Sequence, residues 1–194
     1  MGRKVVLKGD QLPPMVCIVG YSGTGKTTFI EKLIPQFIKR GFKVGCLKHD
    51  LHGFEMDKPG KDSWRHKRAG ASTTVISSPR QIGVVMDVDH DVAPQELRKF
   101  FDTVDIILAE GYKHAKAPKL EVFRKQIYDE PVCKGDDQLL ALISQSPIDL
   151  GVPRFSPDDG EGVARFLIEA FGLAAEPSDD GQRLGVHSES EAHH

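Results

Sequence analysis

Residues 15–30 read MVCIVGYSGTGKTTFI: an apolar run, glycines around a lysine, paired threonines and a second apolar run. Gly20, Tyr21, Ser22, Gly23, Thr24, Gly25, Lys26 and Thr27 match G-x-x-x-x-G-K-[ST] at every fixed position, and Thr28 follows directly. The pattern predicts a buried strand over 15–20 and a helix over 26–40, with Phe29, Ile30, Leu33, Ile34 and Phe37 as its apolar face. Glycines let backbone N–H groups turn toward phosphate oxygens, and the helix N-terminus adds partial positive charge. Lys26 would reach the β- and γ-phosphates, and the Thr27 hydroxyl would serve Mg²⁺. A Gly-rich turn without a ligand is the plainer alternative, but the strand before and the helix after argue against it. The stretch promises a polyphosphate and leaves its base and its use open.

Apolar strands and helices alternate on either side of it. Gly41 ends the first helix after Lys39 and Arg40, and KVGCLKHD is a second strand. A polar loop over 51–61 leads to a helix beginning DSWRHKRAGA, with Asp62 or Ser63 as its expected N-cap. STTVISS and QIGVVMDV read as a hairpin about Pro79 and Arg80. A helix near 94–102 precedes VDIILAEGY, the most apolar strand, and KLEVFRK and LLALISQ follow as further strands. DDGEGVARFLIEAFG closes the series as a helix starting near Asp158. The alternation predicts an α/β fold of P-loop NTPase type, a mainly parallel sheet with helices on both faces. Residues 1–173 form its single domain, and the polar, acidic residues 174–194 read as a disordered tail.

The chain has 194 residues, 28% charged and 39% hydrophobic, with a formal net charge of -2. That balance argues against non-specific attachment to nucleic acid or to an anionic membrane, and no run has the apolar length of a membrane span. The N-terminus lacks the apolar core of a signal peptide, and its Met-Gly opening lacks the hydroxyl residue of a myristoylation pattern. Cys17, Cys46 and Cys133 are odd in number and widely spaced, with Cys17 and Cys46 in expected buried strands. They suggest neither disulfides nor zinc, and the cytoplasm is the expected compartment.

In parallel sheets ligands bind at the carboxyl ends of strands. Glu110 and Gly111 end the strand DIILA, where an acid would face the metal. Asp105 stands at that strand's wrong end. Lys48 and His49 end the second strand, and Lys113 and His114 repeat a Lys-His pair after Glu110; two such pairs on one rim suggest an anion site. Asp57, Lys61 and Asp62 lie in the DKPGKDS loop, which is either a ligand-closing segment or a solvated connection.

Together GYSGTGKTT, LKHD, DKPGKDS, AGA and AEGYKH, in this order, resemble the MobB family, molybdopterin-guanine dinucleotide biosynthesis protein B. The match spans Met15 to Gln126 and extends toward Leu173. The resemblance implies a P-loop GTP-binding protein of late molybdenum cofactor maturation, a homodimer with weak GTPase activity. It would assist a MobA-type guanylyltransferase, which joins GMP to molybdopterin. Carried over, Gly20 to Thr28 would hold phosphate and Mg²⁺, with Lys48, His49, Asp57, Lys61 and Asp62 nearby. Glu110, Gly111, Lys113 and His114 would supply the acidic strand end and its flank.

Two features keep alternatives open. No Asn-Lys-x-Asp stretch reads guanine here; after LLALIS only Asp149 offers a carboxylate for the base. Tyr112, not glutamine, follows Glu110 and Gly111, which fits slow or partner-stimulated hydrolysis. A small-molecule kinase, and a non-catalytic carrier holding molybdopterin or its dinucleotide, remain the competing functions.

Overall fold

The computed structural model describes residues 12–174. The expected tail, apart from Ala174, and the first eleven residues lie outside them. Strands β1 (Met15–Val19), β2 (Val44–Lys48), β5 (Ile106–Glu110), β6 (Lys119–Val122), β7 (Leu139–Ile143) and β8 (Arg154–Phe155) make one sheet in the order β2-β5-β1-β6-β7-β8. Every pairing in it is parallel. β1 is central, so the loop after it opens between the carboxyl ends of β5 and β6.

Side chains alternate along each strand, and the two sets build two cores. Val16, Ile18, Leu108, Leu120, Val122 and Ile143 face α1 (Lys26–Ile38) and α4 (Gly160–Phe171), which meet them through Phe29, Leu33, Phe37, Val163 and Leu167. Met15, Cys17, Val19, Ile107 and Ala109 form the opposite core. Helical cover is unequal between the faces. The second face receives Phe101 and Val104, beyond the short α3 (Pro94–Leu97) and a 3-10 turn over Arg98–Phe100, together with loop residues such as Val132 and Ala115.

Those loops are tied down by charge. KLEVFRK alternates charged and apolar residues along β6, and Lys119 and Glu121 are only 2% and 0% exposed. Lys119 donates to Ala115 O at 2.6 Å and to Asp136 at 2.9 Å. Glu121 accepts the N–H groups of Val132 and Cys133 at 2.6 and 2.8 Å. Buried charges persist only when partnered this way. The polar positions of β6 therefore pin loops where another fold would lay a helix. Burial pushes the neighbouring thiols up, Cys17 to about 11 and Cys133 to about 12, which leaves both inert at neutral pH.

Local readings are corrected at two further points. Cys46 is exposed, because β2 is the sheet's edge strand and Cys46 stands on its margin beside Leu108. The cap of α2 (Asp62–Arg68) is Lys61, not Asp62 or Ser63: Lys61 is extended and Asp62 is already helical, its carboxylate 3.8 Å from Arg65. α1 also continues through Pro35, which forfeits one intrahelical hydrogen bond, before Gly41 (φ +83°) turns the chain out.

β3 (Thr73–Ser77) and β4 (Ile82–Met86) form the expected hairpin, but as a separate two-stranded sheet. Its register places Val75, Ile82, Val84 and Met86 on one face, and all four are exposed. The half-buried residues Thr74 and Val85 stand on the other face, and α2 packs against β3.

Candidate functional site at the end of the central strand

The loop after β1 turns sharply at Gly20, whose φ is +136°. A Cβ there would lie 2.4 Å from the Val122 carbonyl oxygen of β6. Only glycine brings the loop this close to the neighbouring strand. Gly23 and Gly25 also have positive φ, +75° and +96°, and α1 begins immediately afterwards. Thr24 is fully buried, and its hydroxyl donates to Tyr21 O at 3.0 Å, bracing the loop from inside. Ser22, Thr27 and Thr28 are exposed.

Lys26 curls back over the loop and donates to Gly20 O at 3.1 Å and Tyr21 O at 2.9 Å. Burial lowers its pKa from the ordinary value; Glu110 opposes that shift, while the like charges of Lys113 and Lys48 add to it. An ammonium depressed by desolvation and by like charges gains from an arriving anion. The Thr27 hydroxyl donates to both carboxylate oxygens of Glu110 at 3.0 Å. The strand-end acid and the P-loop hydroxyl, 83 residues apart in sequence, thus form one cluster of hard oxygen donors. Mg²⁺ favours such a pair, with phosphate oxygens and water completing its shell. Asp105, at the other end of β5, accepts the Lys43 N–H instead.

A cavity of about 720 Å³ opens beside this cluster, and Lys26, His49, Glu110, Gly111, Lys113 and His114 line it. Gly111 (φ +104°) lets the β5 and β2 ends approach, since a Cβ there would meet His49 Cβ at 3.0 Å. Tyr112 then adopts φ +57°, the one non-glycine positive φ among the described residues, and stacks on His49 at 4.1 Å. Strain of this kind is kept where surrounding contacts over-determine it. The His49 ring also hydrogen-bonds Asp91 at 3.0 Å. Burial raises the Tyr112 pKa, and Asp91 and Cys17 add to the rise.

The structure brings the P-loop, Glu110, Gly111, His49, Lys113 and His114 to one rim. Lys48 is exposed there and acts on Lys26 through its charge. Asp57, Lys61 and Asp62 do not line the cavity; Asp57 bonds the Lys58 N–H and Asp62 faces Arg65. Asp149 serves its own turn, accepting from Gly151 N at 2.8 Å. On the β6 side of the loop a smaller cavity, about 380 Å³, is lined instead by Gln145, Ser146 and Asp158 among others. Sequence reasoning missed Asp91, Arg124 and Tyr128. Arg124 and Tyr128 follow β6, where the strand-end rule could have found them, but Asp91 follows β4 of the separate hairpin, and none sits in a motif.

This strand order, loop and acidic neighbour define a protein of the P-loop NTPase-type fold. The MobB family model, molybdopterin guanine dinucleotide synthesis protein B, matches residues 15–145. A molybdopterin-guanine dinucleotide biosynthesis adapter protein of Escherichia coli is 34% identical over 168 residues, covering 84% of this chain and 96% of its own. One from Haemophilus influenzae is 36% identical, covering 76% and 83%. The crystal structure of Bacillus subtilis MobB superposes with a TM-score of 0.65 at 30% identity, over 84% of this chain and 99% of that one. The chain belongs to the MobB family.

Proposed function

We propose that this protein is a GTP-binding, Mg²⁺-dependent adapter in the formation of molybdopterin guanine dinucleotide, assisting a MobA-type guanylyltransferase and hydrolysing GTP weakly. The hydrogen bond of Thr27 to Glu110, directly beside Lys26, carries the reading. It joins the phosphate-binding loop to a strand-end acid as a metal-dependent nucleotide site requires. Thr27 and Glu110 would hold Mg²⁺, which supplies charge neutralisation at the phosphates. Lys26 leaves the Gly20 and Tyr21 carbonyls to pair with phosphate oxygens, and the N–H groups of the loop do the rest. Tyr112 stands after Glu110 and Gly111 where a water-orienting glutamine would, which suits slow turnover. Guanine follows from the family. The exposed apolar face of the hairpin, Val75, Ile82, Val84 and Met86, supports pairing with a second copy.

Calorimetry with GTP, GDP and ATP in Mg²⁺, on the parent protein and on Lys26→Ala, tests this reading. The parent should bind GTP and GDP, and the variant should lose most of that affinity while keeping its melting temperature. Equal behaviour of the two proteins would refute it. The larger cavity favours one alternative, a kinase whose acceptor lies against Lys113 and His114. Transfer of labelled γ-phosphate to a metabolite rather than to water would establish that alternative.

A further inference from the structure

Arg124 lies two residues beyond Val122, the last residue of β6, and sits on the flank of the P-loop opposite Glu110. We propose that Arg124 is a phosphate ligand of the nucleotide site, a second cation facing the loop from β6; this rests on the P-loop reading above.

The guanidinium lies against Gly25. A Cβ at Gly25 would stand 3.0 Å from Arg124 Nη2, 3.6 Å from Cζ and 3.8 Å from Nε. The φ of +96° calls for glycine at this position, and the guanidinium lies in contact distance of the space its missing side chain leaves.

The arginine is held there by a built contact. Its carbonyl accepts the N–H groups of Ile127 and Tyr128 at 3.1 and 3.2 Å, closing a turn. Tyr128 fastens that turn to the phosphate loop: its ring stacks on Tyr21 at 4.1 Å, and its hydroxyl donates to Ser22 O at 3.1 Å. Behind it, Phe123 N–H bonds Ile143 O at 3.0 Å, so β7 fixes the start of the segment.

Among the described residues this cation has no partner. The Arg124 guanidinium makes no hydrogen bond or ion pair among the described residues. Arg40, Lys32, Lys67 and Lys119 each reach a carboxylate. An exposed arginine is ordinary; an unpartnered one clamped on a P-loop glycine is not. A guanidinium presents a planar fork of donors that matches phosphate oxygens in pairs. Arg124 also lines the smaller cavity. A phosphate chain leaving the loop on that side passes under it, so Arg124 would join the loop's amides in holding it.

The test is equilibrium binding of fluorescent GTP and GDP, in Mg²⁺, to the parent, Arg124→Ala and Arg124→Lys, with melting of each nucleotide-free protein. Arg124→Ala should weaken both nucleotides by about ten- to a hundred-fold, the worth of a charge-assisted contact. Arg124→Lys should recover part of the loss, and all three melting temperatures should agree. Undiminished affinity in Arg124→Ala overturns the proposal while leaving the P-loop reading intact. A loss accompanied by a lowered melting temperature of nucleotide-free protein also overturns it, by marking the residue as structural. A parent that binds neither nucleotide overturns both readings.

Discussion

Substituting Gly20 by alanine tests whether the P-loop is set by its own sequence or by the strand beside it. Two costs meet at this position. A non-glycine residue at φ +136° carries about 1–2 kcal/mol of backbone strain. The added methyl would also sit 2.4 Å from the Val122 carbonyl oxygen and 3.1 Å from Thr24 Oγ1. Relief requires β1 and β6 to separate where Val19 pairs with Glu121, an overpacking cost of about 1–3 kcal/mol. The sum, about 2–5 kcal/mol, corresponds to a fall in melting temperature of about 4–20 °C for a chain of this size. Gly23→Ala supplies the control. Its φ is also positive, +75°, but its Cβ would meet nothing within 4 Å. It should lose only the strain, about 1 kcal/mol. Thermal unfolding of both variants without nucleotide, followed by circular dichroism, gives the comparison. If Gly20→Ala melts no lower than Gly23→Ala, the contact with β6 does not shape the loop and the reasoning fails.

Three other outcomes are expected. Glu110→Gln should slow Mg²⁺-dependent GTP hydrolysis by at least about ten-fold while changing GTP affinity little, because an amide ligates Mg²⁺ poorly but leaves Lys26 and the loop amides in place; unchanged hydrolysis in a single-turnover assay would show the acid to be misassigned. Burial raises the Glu121 pKa above 4.5, with the N–H groups of Cys133 and Val132 opposing, so the folded state binds this proton more tightly than the unfolded chain. The stability this contributes is fully present below pH 4.5 and lost as pH rises through the folded-state pKa. Glu121→Gln should therefore flatten the stability profile above pH 4.5 in urea unfolding, at a cost of about 1–3 kcal/mol from an amide N–H facing backbone donors; a slope equal to the parent's would contradict it. Finally, the proposed pairing of two copies through the hairpin predicts that Val84→Asp with Ile82→Asp lowers the mass seen in sedimentation to that of a monomer without lowering the melting temperature, since both side chains are exposed; an association state equal to the parent's would refute that pairing.

Much of the site was legible because its chemistry is local. A phosphate-binding loop needs its glycines, lysine and threonine within one turn of chain, so G-x-x-x-x-G-K-[ST] carries the geometry in eight consecutive residues. The strand-end rule then placed Glu110, His49, Lys113 and His114 on the same rim without knowledge of strand order. By sequence the DKPGKDS loop stays open between a ligand-closing segment and a solvated connection, and only the family resemblance sets it beside the site. Its strand, β2, is the edge strand, and Asp57, Lys61 and Asp62 do not line the cavity.

The sequence by itself determined the parallel α/β architecture, the phosphate loop and the family. These are written in short-range patterns: alternation, helical period, glycine where φ must be positive. Only the tertiary structure decided that β1 lies between β5 and β6. That order sets Glu110 against Thr27 on one side and Arg124 against Gly25 on the other. It also made Lys119 and Glu121 buried anchors, because a strand flanked by β1 and β7 keeps its charges only where loops supply their partners. Pairing free energy belongs to whichever strands the whole chain brings together, and no local window of sequence contains it.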